Sequence, residues 1–354
     1  MTAQRQFIFW FFVAAAFLAL LFLFSPVLLP FVLGITIAYL LDPAVLKLTR
    51  YGFGRGVAAF VILFLFFAVI AGLLFILAPL AWHQFTALAD NLPAYVEKFH
   101  AFLDLQKGRI ESFLSPEKYT QTAKFVGDNG GAMAGVADSV FGGIAQGWGV
   151  VSRLLTLVCI TPVVSYFMMK EWPRITGGVF DLFPRRHKDV SFGLLKKIDI
   201  KISGFIRGQL IVAFILGLSY ALALTLAGLE YGFLIGILTG IFSFIPLVGS
   251  TLGLMAGVVV AWLQAGDWVF VMIVAGIFIG GQLIEGNLLT PKFVGDRVGL
   301  HPLWIFFALM AGGSLLGITG MLIAVPVAAA ASVVIAFIID QYKLSPYYKG
   351  IGHG

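Results

Sequence analysis

The stretch Gln282 to Pro302, QLIEGNLLTPKFVGDRVGLHP, places one carboxylate, Glu285, inside a run otherwise as apolar as a bilayer interior. An ionisable group at membrane depth is costly, and it marks a functional site beside a partner or a water-filled cavity. The structural alternative is that Glu285 lies near the end of its helix and reaches the headgroups. Gln282 and Asn287 flank it with amide groups, and Pro291, Gly295, Gly299 and Pro302 break the chain after it. A second polar set consists of small hydroxyls beside glycines and prolines: Ser250 and Thr251 near Pro246, Gly249 and Gly253, then Ser314 and Thr319 among Gly312, Gly313, Gly317 and Gly320. Backbone freed at such breaks can bind a polar solute or ion, and non-helical backbone at membrane depth requires protein or a water-filled cavity to satisfy it. The competing use of these glycines is close helix packing, which the small-residue spacing of Gly232, Gly236 and Gly240 fits.

The composition requires a membrane setting for these residues. Hydrophobic residues are 60% of the chain and charged residues 11%, and the mean hydropathy is +1.01. The chain therefore reads as an all-α polytopic membrane protein with about eight membrane segments, about six of them full spans and two of them re-entrant broken-helix hairpins. The net charge of +6 follows the distribution expected of cytoplasmic loops rather than a nucleic-acid footprint. The single cysteine, Cys159, lies in an apolar run and excludes an intrachain disulfide framework or cysteine metal site. The histidines show no metal-ligand spacing, and no cofactor-binding or ATPase motif is present.

In chain order, Phe7–Phe24 reads as a retained helix, Val27–Leu41 as a second, and Asp42–Gly56 as a cytoplasmic loop carrying Lys47, Arg50 and Arg55. Val57–Ala81 is a third span, which closes an N-terminal membrane region, 1–81. Residues 82–147 carry five basic against seven acidic residues, the balance of an external insert. Phe85, Leu88, Leu92, Tyr95, Phe99 and Phe102 recur there at helical spacing, Ser115-Pro116 opens a second short helix, and Asp128–Gly131 is a joint. A third region, 148–207, holds a fourth span and the segment Lys170–Lys201, which has eight basic and four acidic residues. Val190, Leu194, Ile198, Ile202 and Phe205 make that segment a basic amphipathic helix at the cytoplasmic surface. Residues 208–354 form the expected transport core: a span over Gln209–Leu229, a hairpin of Tyr231–Ile245 and Gly253–Gln264, the Glu285 span over Val269–Leu289, and a broken element of Leu303–Leu315 and Met321–Ile339. Both termini are expected in the cytoplasm.

Three segments together resemble the autoinducer-2 exporter family of bacterial permeases. They are FIPLVGSTLG (Phe244–Gly253), QLIEGNLLTPKFVGDRVGLHPL (Gln282–Leu303) and LMAGGSLLGITGMLIAVPVAA (Leu309–Ala329). The resemblance implies an inner-membrane permease, a ring-like homo-oligomer with a pentamer suggested, and elevator-type movement of the broken-helix half. It also implies export of autoinducer-2 or, in some members, sodium(lithium)/proton antiport.

The residues themselves leave two transport readings open. Export of a small polar solute suits the Ser, Thr, Gln and Asn set, whereas cation/proton antiport would use Glu285 as the alternately protonated, ion-binding group. A serine hydrolase built on Ser250 with His301 as base is disfavoured, because Gly249–Gly253 lacks the G-x-S-x-G spacing and His301 lies in a Pro-flanked interfacial loop. A passive channel or scaffold is the remaining alternative. The partners expected are the lipid bilayer, a small polar solute or cation, and other copies of the chain.

Overall fold

The computed structural model describes residues 12, 20, 22–113, 148–181, 183, 188–294 and 299–349, and every regular element among them is helical. In chain order these are α1 (Ser25–Arg50), α2 (Arg55–Phe113), α3 (Trp148–Asp181), α4 (Lys188–Leu226), α5 (Gly232–Phe242), α6 (Val248–Ala265) and α7 (Trp268–Ile284). A π-helix (Glu285–Val294) continues α7, and α8 (Pro302–Leu344) and the short α9 (Pro346–Lys349) follow. Among the described residues, six stretches are long and apolar enough to cross a membrane: Val27–Arg50, Arg55–Gln84, Lys188–Leu226, Val248–Ala265, Trp268–Val294 and Pro302–Leu344. Large apolar side chains such as Phe75 and Leu226 point outward, 84% and 86% exposed, as expected where lipid is the solvent.

Several elements run further than local sequence suggests. Helix α1 continues through Pro43 to Arg50, so Lys47 and Arg50 occupy its last turn, favourably placed against its dipole. The expected basic loop shrinks to a short connection containing Gly52, at φ 92°. The third span and the first insert helix are one element, α2. The amphipathic segment beginning at Lys188 passes without a break through Arg207 and Gly208 into the fifth span. Most of the expected Phe7–Phe24 helix, the insert helix opening at Ser115, the Asp128–Gly131 joint and Gly295 lie outside the described residues, as do the side chains of the expected apolar face from Phe85 to Phe102.

The chain divides into two compact units, 1–68 with 156–212 and 286–354, and 69–155 with 213–285. In the first, Ala38, Val45, Ala58, Ala59, Leu63 and Met169 form a core between α1, α2 and α3. Ser165 shares its one hydroxyl proton between the Gly34 carbonyl at 3.0 Å and the Thr161 carbonyl of its own helix at 2.8 Å, so a buried hydroxyl ties α3 to α1. Arg55 pairs with Asp42 at 2.5 Å and donates through Nε to the Met169 carbonyl at 2.8 Å. Gly208 on α4 lies directly against the Phe293 carbonyl and Val294 at the end of the π-helix, where no side chain fits.

In the second unit α5 packs on the later part of α4 through a seam without side chains. Gly232, Gly236 and Gly240 face Leu224, Ala221 and Gly217 in turn, so the backbones of the two helices touch. Tyr220 stacks on Phe278 of α7 with ring centroids 4.8 Å apart and fills the notch left by Gly281.

Candidate functional site

Two helical hairpins carry most of the polar residues singled out above. The first is α5–α6, in the second unit. Helix α5 ends at Phe242, Pro246 sits in the turn that follows, and Leu247, at φ 71°, takes the left-handed conformation that reverses the chain. Gly249 then lies against Ser243 and the Thr239 carbonyl, and Gly253 against the Thr239 side chain and Phe278. Helix α6 starts at Val248, earlier than the expected Gly253, and at 18 residues is long enough for a span, whereas α5 is an 11-residue apolar helix. Gln264 closes the other end of this hairpin, accepting from Glu230 N at 3.0 Å and donating to the Gly228 carbonyl at 2.9 Å.

The second hairpin lies within α8, in the first unit. Its helical dihedrals fail at one residue, Gly317, with φ 59° and ψ −140°, a combination accessible to glycine and strained for other residues. The chain folds back there: Gly312 meets Gly320, and Gly313 meets the side chain of Met321. Thr319 is buried and Ser314 exposed. The break falls at Gly317 alone, while Gly312, Gly313 and Gly320 let the two legs approach.

Most hydroxyls at these hairpins donate to carbonyls of their own helices. Thr239 bonds Ile235 O at 2.7 Å, Ser243 bonds Thr239 O at 2.7 Å, Thr251 bonds Leu247 O at 2.6 Å and Ser314 bonds Ala311 O at 2.9 Å. A hydroxyl that has given its proton to the backbone keeps lone pairs that accept. Ser250 is buried at 8% exposure, and Thr251 is exposed. The hairpin polarity is thus weighted toward acceptance.

Glu285 is also buried, 8% exposed, at the first position of the π-helix. Gln282 Nε2 donates to its Oε2 at 3.4 Å; among the described residues no cation pairs with it. The π geometry has a local cause. In an α-helix the Pro291 ring would meet the Asn287 carbonyl and leave it without its usual donor, and a wider turn relieves both problems. Gln282 and Asn287 are exposed, as is Pro291. His301, the cap of α8, accepts from Leu303 N through Nδ1 at 3.3 Å, and Pro302 opens that helix. His301 is a helix cap in this arrangement.

A further polar cluster escaped sequence reasoning. In the first unit Tyr39, Asp42, Trp172, Asp199, Ser203 and Arg207 line a cavity of about 210 Å³. The Tyr39 hydroxyl donates to the Asp199 carboxylate, and its ring meets Trp172 edge-on at 5.5 Å. The signal was present: Asp199, Ser203 and Arg207 repeat every four residues on one helical face, and Tyr39 and Asp42 are three apart. Tyr39 falls in the expected Val27–Leu41 helix and Asp42 in the expected loop, and no local pattern joins them to Asp199.

The chain has known counterparts. The model for the AI-2E family transporter matches residues 9–340. The chain is 28% identical to YrrI of Bacillus subtilis strain 168 over 304 residues, 86% of this chain and 84% of that protein. It is 26% identical to PerM of Escherichia coli strain K12 over 310 residues, 87% of this chain and 86% of PerM. It is also similar to the AI-2 transport protein TqsA of Escherichia coli strain K12, 23% identical over 302 residues, covering 85% of this chain and 83% of TqsA.

Proposed function

Since the chain belongs to the AI-2E family of transporters, a transporter family and not an enzyme family, we propose that it exports a small, hydroxyl-rich solute of the autoinducer-2 type. In this reading α5–α6 and the two legs of α8 are re-entrant hairpins, and the broken-helix half moves in an elevator-type alternating-access cycle. The observation that carries the reading is the acceptor-weighted chemistry at each hairpin taken by itself: the exposed hydroxyls of Thr251 and Ser314 have committed their protons to the Leu247 and Ala311 carbonyls. A solute rich in O–H groups supplies the missing donors without needing a fixed counter-charge. The similarity to TqsA, an AI-2 transport protein, supports the same solute class. The protein would sit in the bacterial inner membrane with both termini cytoplasmic, by the positive-inside pattern, and would work as a ring-like homo-oligomer, a pentamer by family resemblance.

The buried Glu285 favours a second reading, sodium(lithium)/proton antiport. A carboxylate held by one long hydrogen bond from Gln282 and by no cation among the described residues is available to bind a proton or a metal cation in turn.

Proteoliposomes of purified protein separate the two. Autoinducer-2 and sodium movement are followed independently, with and without an imposed proton gradient, for wild type and Glu285→Gln. Solute export is expected to saturate and to persist in the variant. Sodium exchange in the wild type that collapses in the variant, with no solute movement in either, overturns the export reading.

A further inference from the structure

A cleft between α4 and α8 has no role in the solute path argued above. It lies within the first unit, has a volume of about 330 Å³, and is lined by Lys197 and Lys201 of α4 and by Ser332 and Asp340 of α8. Its apolar walls include Leu194 and Phe337. The residues follow helical spacing on both sides. Leu194, Lys197 and Lys201 share one face of α4, and Ser332, Ala336 and Asp340 recur every four residues along α8.

The direction of the two helices fixes where the cleft lies. Lys201 Nζ donates to Ser332 Oγ at 3.0 Å. Lys197 is one turn earlier on α4 and Asp340 two turns later on α8, so the two helices run antiparallel along the cleft. The charged beginning of α4 and the charged end of α8, with Asp340 and Lys343, therefore meet at the same end. Past Gln209 on α4, and from Leu303 to Ile339 on α8, neither helix carries a charged residue. This is the arrangement of a membrane–water boundary. Ile200 on the cleft wall stands 51% exposed beside Leu194 and Phe337, which suits acyl chains rather than water.

Charge then selects the occupant. Among the described residues neither lysine forms an ion pair, and neither does Asp340. Lys201 retains two further N–H donors after bonding Ser332. Two ammonium groups one turn apart suit a phosphodiester, and the Ser332 hydroxyl, which donates to the Ala329 carbonyl at 2.7 Å, serves to hold Lys201 in place. Asp340, farther along, would repel a purely anionic headgroup and attract a primary ammonium.

We propose that this cleft binds the headgroup of an aminophospholipid of the phosphatidylethanolamine type. Its phosphate lies between Lys197 and Lys201, its ammonium lies at Asp340, and its acyl chains run along the apolar flank. The bound lipid would tie the basic start of α4 to the end of α8.

The test is the association of trace spin-labelled lipids with the full-length protein in phosphatidylcholine vesicles, comparing labelled phosphatidylethanolamine, phosphatidylglycerol and phosphatidylcholine. In the wild type, phosphatidylethanolamine is expected to be retained above the other two. Lys197→Gln and Lys201→Gln should each weaken its retention about fivefold, and together about thirtyfold. Lys196→Gln, on a lysine outside the cleft, should leave retention unchanged. Asp340→Asn should remove the preference for phosphatidylethanolamine while sparing phosphatidylglycerol.

The wild-type ranking needs no variant to fold, and phosphatidylglycerol retained above phosphatidylethanolamine overturns the proposal. Displacement of the labelled lipid by millimolar inorganic phosphate also overturns it, since the cleft would then take a soluble anion. Unchanged retention in the double lysine variant has the same consequence.

Discussion

Gly312 and Gly320 stand face to face across the reversal at Gly317, and the carbonyl of each occupies the space a Cβ on the other would need. Gly313, one residue on, meets only the flexible side chain of Met321. The pair gives a graded test of the second hairpin. Gly312→Val must push backbone against backbone, at a cost of about 1–3 kcal/mol, and is expected to abolish transport while the protein still inserts as a monodisperse species. Gly313→Val asks only that Met321 rotate, and should retain most activity. Equal transport by both variants and wild type would mean that the close approach of the two legs is not used.

At the first hairpin the strain sits on a leucine. Leu247 holds φ 71° with its side chain 51% exposed, a conformation that costs a non-glycine L-residue roughly 1–2 kcal/mol. Asparagine tolerates it better. Leu247→Asn is therefore expected to stabilise the protein by up to about 1 kcal/mol, read as a rise in the thermal midpoint in detergent. If the strain serves opening of the hairpin, the transport rate should fall as stability rises. A lower midpoint would show that the side chain matters more than the backbone.

The breaks were legible because Pro and Gly act locally. Pro246 lies in the turn between α5 and α6, and Gly317 lies within the Gly-rich run that marked the second reversal. The isolated Glu285 was equally visible, since a lone carboxylate stands out against apolar neighbours. What stayed hidden depended on tertiary partners. Gly208 read as a boundary before the fifth span, yet it lies inside α4, where its missing side chain seats the Phe293 carbonyl. The π-helix required knowing that the chain stays helical through Pro291 instead of breaking there. The Tyr39–Asp199 bond joins residues 160 positions apart, which no local pattern can pair.

The long helix α2 reaches the first hairpin through two amide side chains. Gln84 Oε1 accepts from Leu234 N at 2.9 Å, and Asn91 Nδ2 donates to the Tyr231 hydroxyl at 3.1 Å. The first N–H groups of a helix lack intrahelical acceptors, so Gln84 serves as a remote cap for α5. Gln84→Leu is expected to cost about 0.5–2 kcal/mol, concentrated at the start of α5. Hydrogen exchange should accelerate at the Leu234 amide and its neighbours and not in α6. Unaltered exchange at Leu234 would remove the capping role.

Arg55 joins three helices of the first unit at one guanidinium. It pairs with Asp42 near the end of α1, starts α2, and donates to the Met169 carbonyl of α3. Its side chain is 21% exposed and that of Asp42 16%, so the pair is neither fully solvated nor fully buried. Removing one partner leaves the other poorly solvated; Arg55→Gln is expected to lose about 1.5–3 kcal/mol. Asp42→Asn should lose less, because the Met169 bond survives. Arg55→Lys keeps the charge but not the forked donors, and should fall between wild type and the glutamine variant. Thermal denaturation of the two single variants and of Arg55→Gln/Asp42→Asn closes a double-mutant cycle. The expected coupling is about 1–3 kcal/mol, with the double variant more stable than the sum of the single losses predicts. Strict additivity would mean that Arg55 acts through the Met169 carbonyl alone, and that the charge on Asp42 is held by water.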